Sequence, residues 1–376
     1  MSIAMSEQGS KGNAAVRFAI VGCGAIGATH AGALKQLAGD AELVACVDVV
    51  AERAQKLAGE FGVARVYDSI DAALGDVEID AMIFATPSGL HASQAESALN
   101  AGKHVVVEKP MDISVAACDR MVAAQQKSGR KLAIISQHRW DHASRFVKDA
   151  VDAGRLGKLM LVDMSVKWWR TQDYYDSGDW RGTWHLDGGG ALMNQGIHTV
   201  DLMQWLAGPV EKVYARAVTQ GHERIEVEDI VVATLKFKSG AIGTLTASTA
   251  CYNGQPARID LYGTQGSAVI EGDRLKLFRL KDGTDLDAQA ASEHATRVAM
   301  GGTASVKNDV SIRLADPVLK DPGSVWGDAH CEQLRDFIHA IRTDTTPLID
   351  GVEGRKAVQI ITSIYDSARR GVEVTL

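Results

Sequence analysis

Residues 16–27 read VRFAIVGCGAIG, and the fold turns on how they are interpreted. The apolar run over 16–21 suits a central parallel strand, which is buried on both faces and so loses the apolar/polar alternation. Gly22, Gly24 and Gly27 then supply G-x-G-x-x-G where that run gives way to a helical pattern over 25–38. The spacing alone is a weak signal. Placed between a strand and a helix, it reads as the phosphate-binding turn of a dinucleotide-binding domain. Gly22 permits the tight turn, Gly24 lets a pyrophosphate approach the backbone, and Gly27 lets the helix pack against the strand. Ala25 and Ile26 open the helix, whose free N–H groups face the anion. Asp48 ends the next apolar run, 21 residues beyond Gly27. A carboxylate there accepts hydrogen bonds from ribose hydroxyls and repels a 2′-phosphate. Val49 and Val50 follow it, so NAD is favoured over NADP; Arg53, one turn into the next helix, speaks for NADP.

Outward from this turn, strand and helix patterns alternate. Apolar runs at 43–47, 65–67, 81–85, 104–107 and 132–135 are separated by helical patterns near 51–59, 88–100 and 114–128. Strands joined by helical crossovers predict a parallel sheet covered on both faces. After residue 136 the rhythm changes. Strand-like stretches at 156–169, 210–219, 258–262 and 267–271 accompany a hairpin pattern around Ser239-Gly240. Short connections predict a large, mainly antiparallel open sheet, interrupted by a helix at about 191–206. The chain ends in two amphipathic helices, with stripes at Leu334, Phe337, Ile338, Ile341 and at Ala357, Ile360, Ile361, Ile364. The reading is α/β followed by α+β: a disordered lead over 1–13, a Rossmann domain over 14–136, and a substrate-binding and oligomerisation domain over 137–376. The Gly/Ala-rich stretch 283–304 reads as loop.

The chain has 376 residues and a net charge of −7. That balance opposes a nucleic-acid partner, which requires a basic face. No run of 18 apolar residues marks a membrane span. Five cysteines, none in CxxC spacing, argue for reduced thiols and a cytoplasmic setting rather than a disulfide framework. His185 and Asp187 lie close in sequence, but their neighbours do not complete a ligand set, so no metal is expected.

Ligands of doubly wound sheets sit at the carboxyl ends of the strands. One such end reads ATPSGLH, with Thr86, Pro87 and His91; another reads Glu108-Lys109-Pro110. These residues, Lys109 above all, are candidates to meet the cofactor. Further on, GGGALMNQGIHTVD places Asn194, His198 and Asp201 at i, i+4 and i+7, which an α-helix brings to one face. An amide, an imidazole and a carboxylate on one face make a polar pocket wall, although many helices carry a solvated polar stripe.

Taken in order, GCGAIGATH, ATPSGLH, EKP and GGGALMNQGIHTVD resemble the glucose–fructose oxidoreductase / inositol dehydrogenase (Gfo/Idh/MocA) family, over residues 15–376. The resemblance implies a dehydrogenase using NAD, with NADP second, on a secondary hydroxyl of a sugar, glycoside, sugar acid or polyol, with carbon 3 of a pyranose ring preferred. It also implies catalytic roles for Lys109 and His198. Inositol-dehydrogenase-like members usually have aspartate where this chain has Asn194, which points away from myo-inositol itself. The segment WWRTQDYYDSGDWRGTWHLDGGG is rich in aromatic and arginine side chains, which suit sugar rings and hydroxyls. Arg170, Tyr174, Trp180 and Arg181 are its substrate candidates, with Asn194 beside them; Arg139 and His330 are weaker ones. Two rival readings are an NAD-dependent glycoside hydrolase using transient oxidation and elimination, and a non-catalytic NAD(H)-sensing protein. An open sheet with one uncovered face predicts a homodimer or homotetramer through the second domain.

Overall fold

The computed structural model describes residues 14–287 and 322–376. The lead 1–13 and most of the stretch expected as loop, 288–304, lie outside the described residues; within that stretch, Asp285–Asp287 is a short strand.

Six strands form the first sheet: β1 Val16–Val21, β2 Ala41–Val47, β3 Arg65–Tyr67, β4 Ala81–Phe84, β5 His104–Val107 and β6 Leu132–Ile134. Their order is β3-β2-β1-β4-β5-β6 and every pairing is parallel. Helices α1 Ala25–Gln36, α2 Ala51–Phe61, α3 Ile70–Leu74, α4 His91–Asn100 and α5 Val115–Ser128 make the crossovers. The central strands β4 and β5 are apolar and almost wholly buried, as layers on both faces require. The strand order reverses between β1 and β4, and the crevice at that switch point is where ligands of such sheets bind.

After α6 His142–Asp152, the chain enters a nine-stranded sheet, whose first strand is followed by the short helix α7 Gln172–Asp176. Its strands are β7 Leu159–Lys167, β8 Val210–Val218, β9 Ile230–Phe237, β10 Ile242–Ser248, β11 Arg258–Gly263, β12 Gly266–Glu271, β13 Arg274–Leu280, β14 Asp285–Asp287 and β15 Val374–Thr375. All neighbours are antiparallel except β7 and β10. Strands alternate cleanly: Val231, Ala233, Leu235 and Phe237 of β9 are buried, while Val232, Thr234 and Lys236 face outward. The buried face packs on α6, α8 Ile197–Ala207 and the last helix, α10 Gly351–Arg370.

The division of the chain at residue 136 follows chain order, and packing does not respect it. Helix α9, Pro322–Thr343, returns to the first domain. Its Leu334, Phe337 and Ile338 join Phe18, Ile20, Ala31 and Leu34 in one core, with the Phe18 and Phe337 rings 6.3 Å apart. Helix α10 lies so close to β6 that a Cβ at Gly354 would sit 2.4 Å from Ile134. The two sheets therefore share these helices.

Candidate active site

The glycine turn is shaped for a phosphate group. Gly22 has φ of +95°, and a Cβ there would fall 2.4 Å from the carbonyl oxygen of Ala85. Around Gly24 nothing lies within 4 Å of a Cβ position, so the backbone is open to a ligand. Helix α1 begins there with no side-chain cap and no acidic residue in its first turn, leaving its N–H groups for an anion. Asp48 stands beside the turn, accepting hydrogen bonds from Cys23 N at 2.8 Å and Val50 N at 2.9 Å. The geometry fits a dinucleotide pyrophosphate at Gly24 and Ile26, with Asp48 bracing the turn.

The β4 and β5 ends are tied to each other. His91 is buried, with its ring nitrogens 2.8 Å from Pro110 O and 2.9 Å from Thr86 O. Thr86 donates its hydroxyl to Gln94. The expectation that Thr86, Pro87 and His91 meet the cofactor is corrected for His91: its ring is buried between two backbone carbonyls, donating to one and lying against the other, so it ties the two loops together instead. Glu108 is buried and contacts His30 Nε2 at 2.8 Å and His330 Nε2 at 3.7 Å. Burial pushes its carboxyl up, but the two imidazoles outweigh this and hold it well below the usual range. Among the described residues, His30, Glu108 and His330 form the one group of three whose possible metal-ligand atoms all lie within 4.8 Å of one another. The His30–Glu108 contact is a hydrogen bond that an ion would have to open.

Lys109, joined to Pro110 by a cis peptide bond, reaches from β5 into a cavity of about 940 Å³. Its Nζ donates to Asn194 O at 2.9 Å. Burial draws the ammonium below its ordinary value; Glu108 and Asp187 oppose this, while Arg181 and Arg170 add to it. His198 lines the same cavity and is also pulled well below its usual value, by burial first and then by His138 and Lys109. Its Nδ1 is sealed without a partner, which leaves Nε2 as the nitrogen with access to the cavity.

The element carrying these groups departs from the expected α-helix. Ala191–Gly196 is a π-helical turn, and the α-helix starts only at Ile197. The i→i+5 turn changes the angular spacing between Asn194 and the helix that follows, whereas His198 and Asp201 both lie in the regular α-helix. Asn194 and His198 both line the cavity, but Asp201 turns away to Arg139. Arg139 is corrected with it. Buried, it gives Nε and Nη2 to Asp201 at 2.8 and 2.6 Å and Nη1 to Glu353 at 3.2 Å, and it is absent from the cavity wall.

Asn194 instead donates its amide to Asp187 and accepts from Gln195 Nε2 at 2.6 Å. A carboxylate is thus supplied through Asp187. Arg170 and His330 line the cavity; Tyr174, Trp180 and Arg181 do not, and form a stack behind it. The Arg181 guanidinium lies 4.4 Å from the Tyr174 ring centroid and 4.6 Å from that of Trp180. Sequence reasoning missed Asp187 and Gln195. Asp187 stands directly before the glycines, a usable signal, whereas Gln195 falls off the Asn194–His198 face of an ideal helix.

Residues 16–136 match the profile described as oxidoreductase family, NAD-binding Rossmann fold, and residues 144–269 match the GFO/IDH/MocA C-terminal domain. The chain is 35% identical to the WlbA dehydrogenase from Bordetella pertussis, solved in complex with NADH and UDP-GlcNAcA; the match covers 96% of this chain and 98% of that one, with a TM-score of 0.83. It is 25% identical to the myo-inositol 2-dehydrogenase of Thermotoga maritima, over 91% of this chain and 93% of the relative. It is 32% identical to the 4-carboxy-2-hydroxymuconate-6-semialdehyde dehydrogenase of a Sphingobium species, over 62% of this chain and 72% of the relative. Two matching domains and a glycine cradle built for the cofactor make this chain a member of the GFO/IDH/MocA family of NAD-binding oxidoreductases.

Proposed function

We propose that the chain oxidises a secondary hydroxyl of a sugar or polyol, with Lys109 and His198 acting on the same oxygen and a pyranose carbon, position 3 first, as the site. The observation that carries this reading is spatial. Two residues 89 positions apart in sequence, 198 − 109, line one cavity that also includes Ile26 of the glycine turn. Bound NAD supplies the hydride acceptor at its nicotinamide ring. His198, kept neutral by burial, takes the hydroxyl proton through Nε2. Lys109, fixed by Asn194 O, donates a hydrogen bond to the oxygen and stabilises the charge that develops there. In the reverse direction His198 returns the proton and Lys109 polarises the carbonyl. Support also comes from relatives named as a myo-inositol dehydrogenase and solved with UDP-GlcNAcA.

The test is K109A and H198A with NAD and a panel of sugars, sugar acids, polyols and sugar nucleotides, read at 340 nm. Each variant should lose roughly 10²–10⁴ in turnover, the usual range for positioned acid–base groups. NADH binding, followed by fluorescence, should survive. Near-wild-type turnover in either variant would remove the assignment. We further propose a homodimer or homotetramer through the open face of the second sheet. All five cysteines are free, in keeping with the cytoplasmic setting we propose.

A further inference from the structure

Arg170 is an arginine in the cavity wall. Among the described residues no carboxylate lies within ion-pair distance of it. Its position is nevertheless built. Nε and Nη2 both donate to Gln195 Oε1, at 3.1 and 2.7 Å. The guanidinium lies 5.2 Å from the Trp168 ring centroid and 5.4 Å from that of Tyr174. Gln195 is itself held, donating to Tyr174 Oη at 2.9 Å and to Asn194 Oδ1 at 2.6 Å. Its amide orientation is therefore fixed, with oxygen toward the arginine. This leaves the Nη1/Nη2 edge, whose one other contact is a long 3.4 Å approach to Trp169 O.

A guanidinium edge matches a carboxylate or a phosphate in a bidentate fork. The cavity reinforces the choice. Among the described residues Lys109 is its second cation, and the one carboxylate in its wall, Glu108, is occupied by His30. A chain of net charge −7 thus presents a positive wall at this place. We infer that Arg170, aimed by Gln195, recognises an anionic group on the substrate, so that the substrate is a sugar acid or a phosphate-bearing sugar rather than a neutral polyol. The inference rests on the dehydrogenase reading only in taking this cavity as the substrate site.

The test measures binding without turnover. Protein loaded with NADH is titrated with D-glucose, D-glucuronate and D-glucose 6-phosphate, and with UDP-GlcNAc and UDP-GlcNAcA, following NADH fluorescence. At least one anionic ligand should bind about tenfold to 100-fold more tightly than its counterpart lacking that group, the range for a hydrogen bond to a charged partner. The glucuronate and UDP-GlcNAcA arms report a carboxylate. Glucose 6-phosphate, or both sugar nucleotides bound alike, reports a phosphate. R170M should collapse the preferred ligand's advantage and R170K should restore part of it, since lysine keeps the charge but not the fork. No advantage for any anionic ligand in the wild type, or an unchanged advantage in R170M, overturns the assignment. Tight anion binding with no NAD reduction by any of the five would leave Arg170 in its role and count instead against the proposed hydroxyl oxidation of the sugar so bound.

Discussion

A lysine deprived of its water shell holds its proton less tightly, and the behaviour of Lys109 follows from that. Its lowered pKa means that the charged form is lost at a pH below the ordinary lysine value of 10.5. His198 is shifted down as well, so it is already neutral throughout the neutral range. The oxidation rate, as kcat/KM against pH, should therefore be flat around neutrality. It should fall on the alkaline side, with a midpoint below 10.5, as Lys109 loses its charge. In K109R that limb should vanish, because a guanidinium stays protonated. An alkaline limb with an unchanged midpoint in K109R would assign it to another group. The strand end placed Lys109 at the crevice and the polar face singled out His198, but their catalytic roles were legible only through the family resemblance. Arg139 was misread because its partners, Asp201 and Glu353, are 62 and 214 residues distant, and sequence spacing does not announce such ion pairs.

The π-helical turn at Ala191–Gly196 is held by a buried carboxylate. Glu228 accepts from Gly190 N at 3.0 Å, Leu192 N at 2.8 Å and the Tyr365 hydroxyl at 2.8 Å. The tyrosine oxygen in turn accepts from Met193 N. A Cβ at Gly190 would lie 2.0 Å from the Glu228 carbonyl oxygen. G190A should therefore displace the turn that carries Asn194 and His198, costing roughly 1–3 kcal/mol in urea unfolding and lowering turnover with it. Unaltered stability and activity would show that the turn has slack. Burial raises the Glu228 carboxyl to about 7, against the hydrogen bonds from Leu192, Gly190 and Tyr365 that oppose the shift. A folded-state value above the unfolded one means that the associated stability is present below the ordinary carboxyl range and is lost as pH rises through about 7. E228Q cannot ionise, so it should gain stability relative to wild type between pH 5 and 7.5 and track it above that. A constant gap in urea midpoints across this window would contradict a raised Glu228. Sequence showed that a helix lay here but not its first turn: the glycines preceding it were visible, while the Glu228–Tyr365 clamp comes from two other elements.

At the scale of the molecule, the alternation of strands disclosed both sheets, but not the return of α9 to the first. Its stripe of Leu334, Phe337 and Ile338 was legible as amphipathic, yet a stripe does not name the surface it will cover. F337A should cost about 3–5 kcal/mol, as for other buried phenylalanines, and weaken NADH binding, because Phe337 packs beneath the strand that ends in the glycine turn. Loss of stability with NADH affinity intact would separate the helix from the cofactor site. The second sheet raises the complementary question of what covers its other face. Val232 and Ile242 point outward from β9 and β10 and are 50% and 61% exposed, and Tyr214 of β8 and Met160 of β7 are also exposed. Antiparallel sheets tolerate water on one face when that face is polar. These four side chains are not polar, and they interrupt a surface otherwise made of residues such as Thr234, Thr244 and Lys236. A second copy of the same face would bury them against their own kind, as a two-fold contact requires. Sedimentation should therefore show a homo-oligomer for the wild type. V232D and I242D, each placing a carboxylate in the middle of the contact, should shift it toward monomer while leaving the thermal transition of the chain in place. A wild-type monomer at tens of micromolar, or aspartate variants that sediment unchanged, would mean that this face meets water.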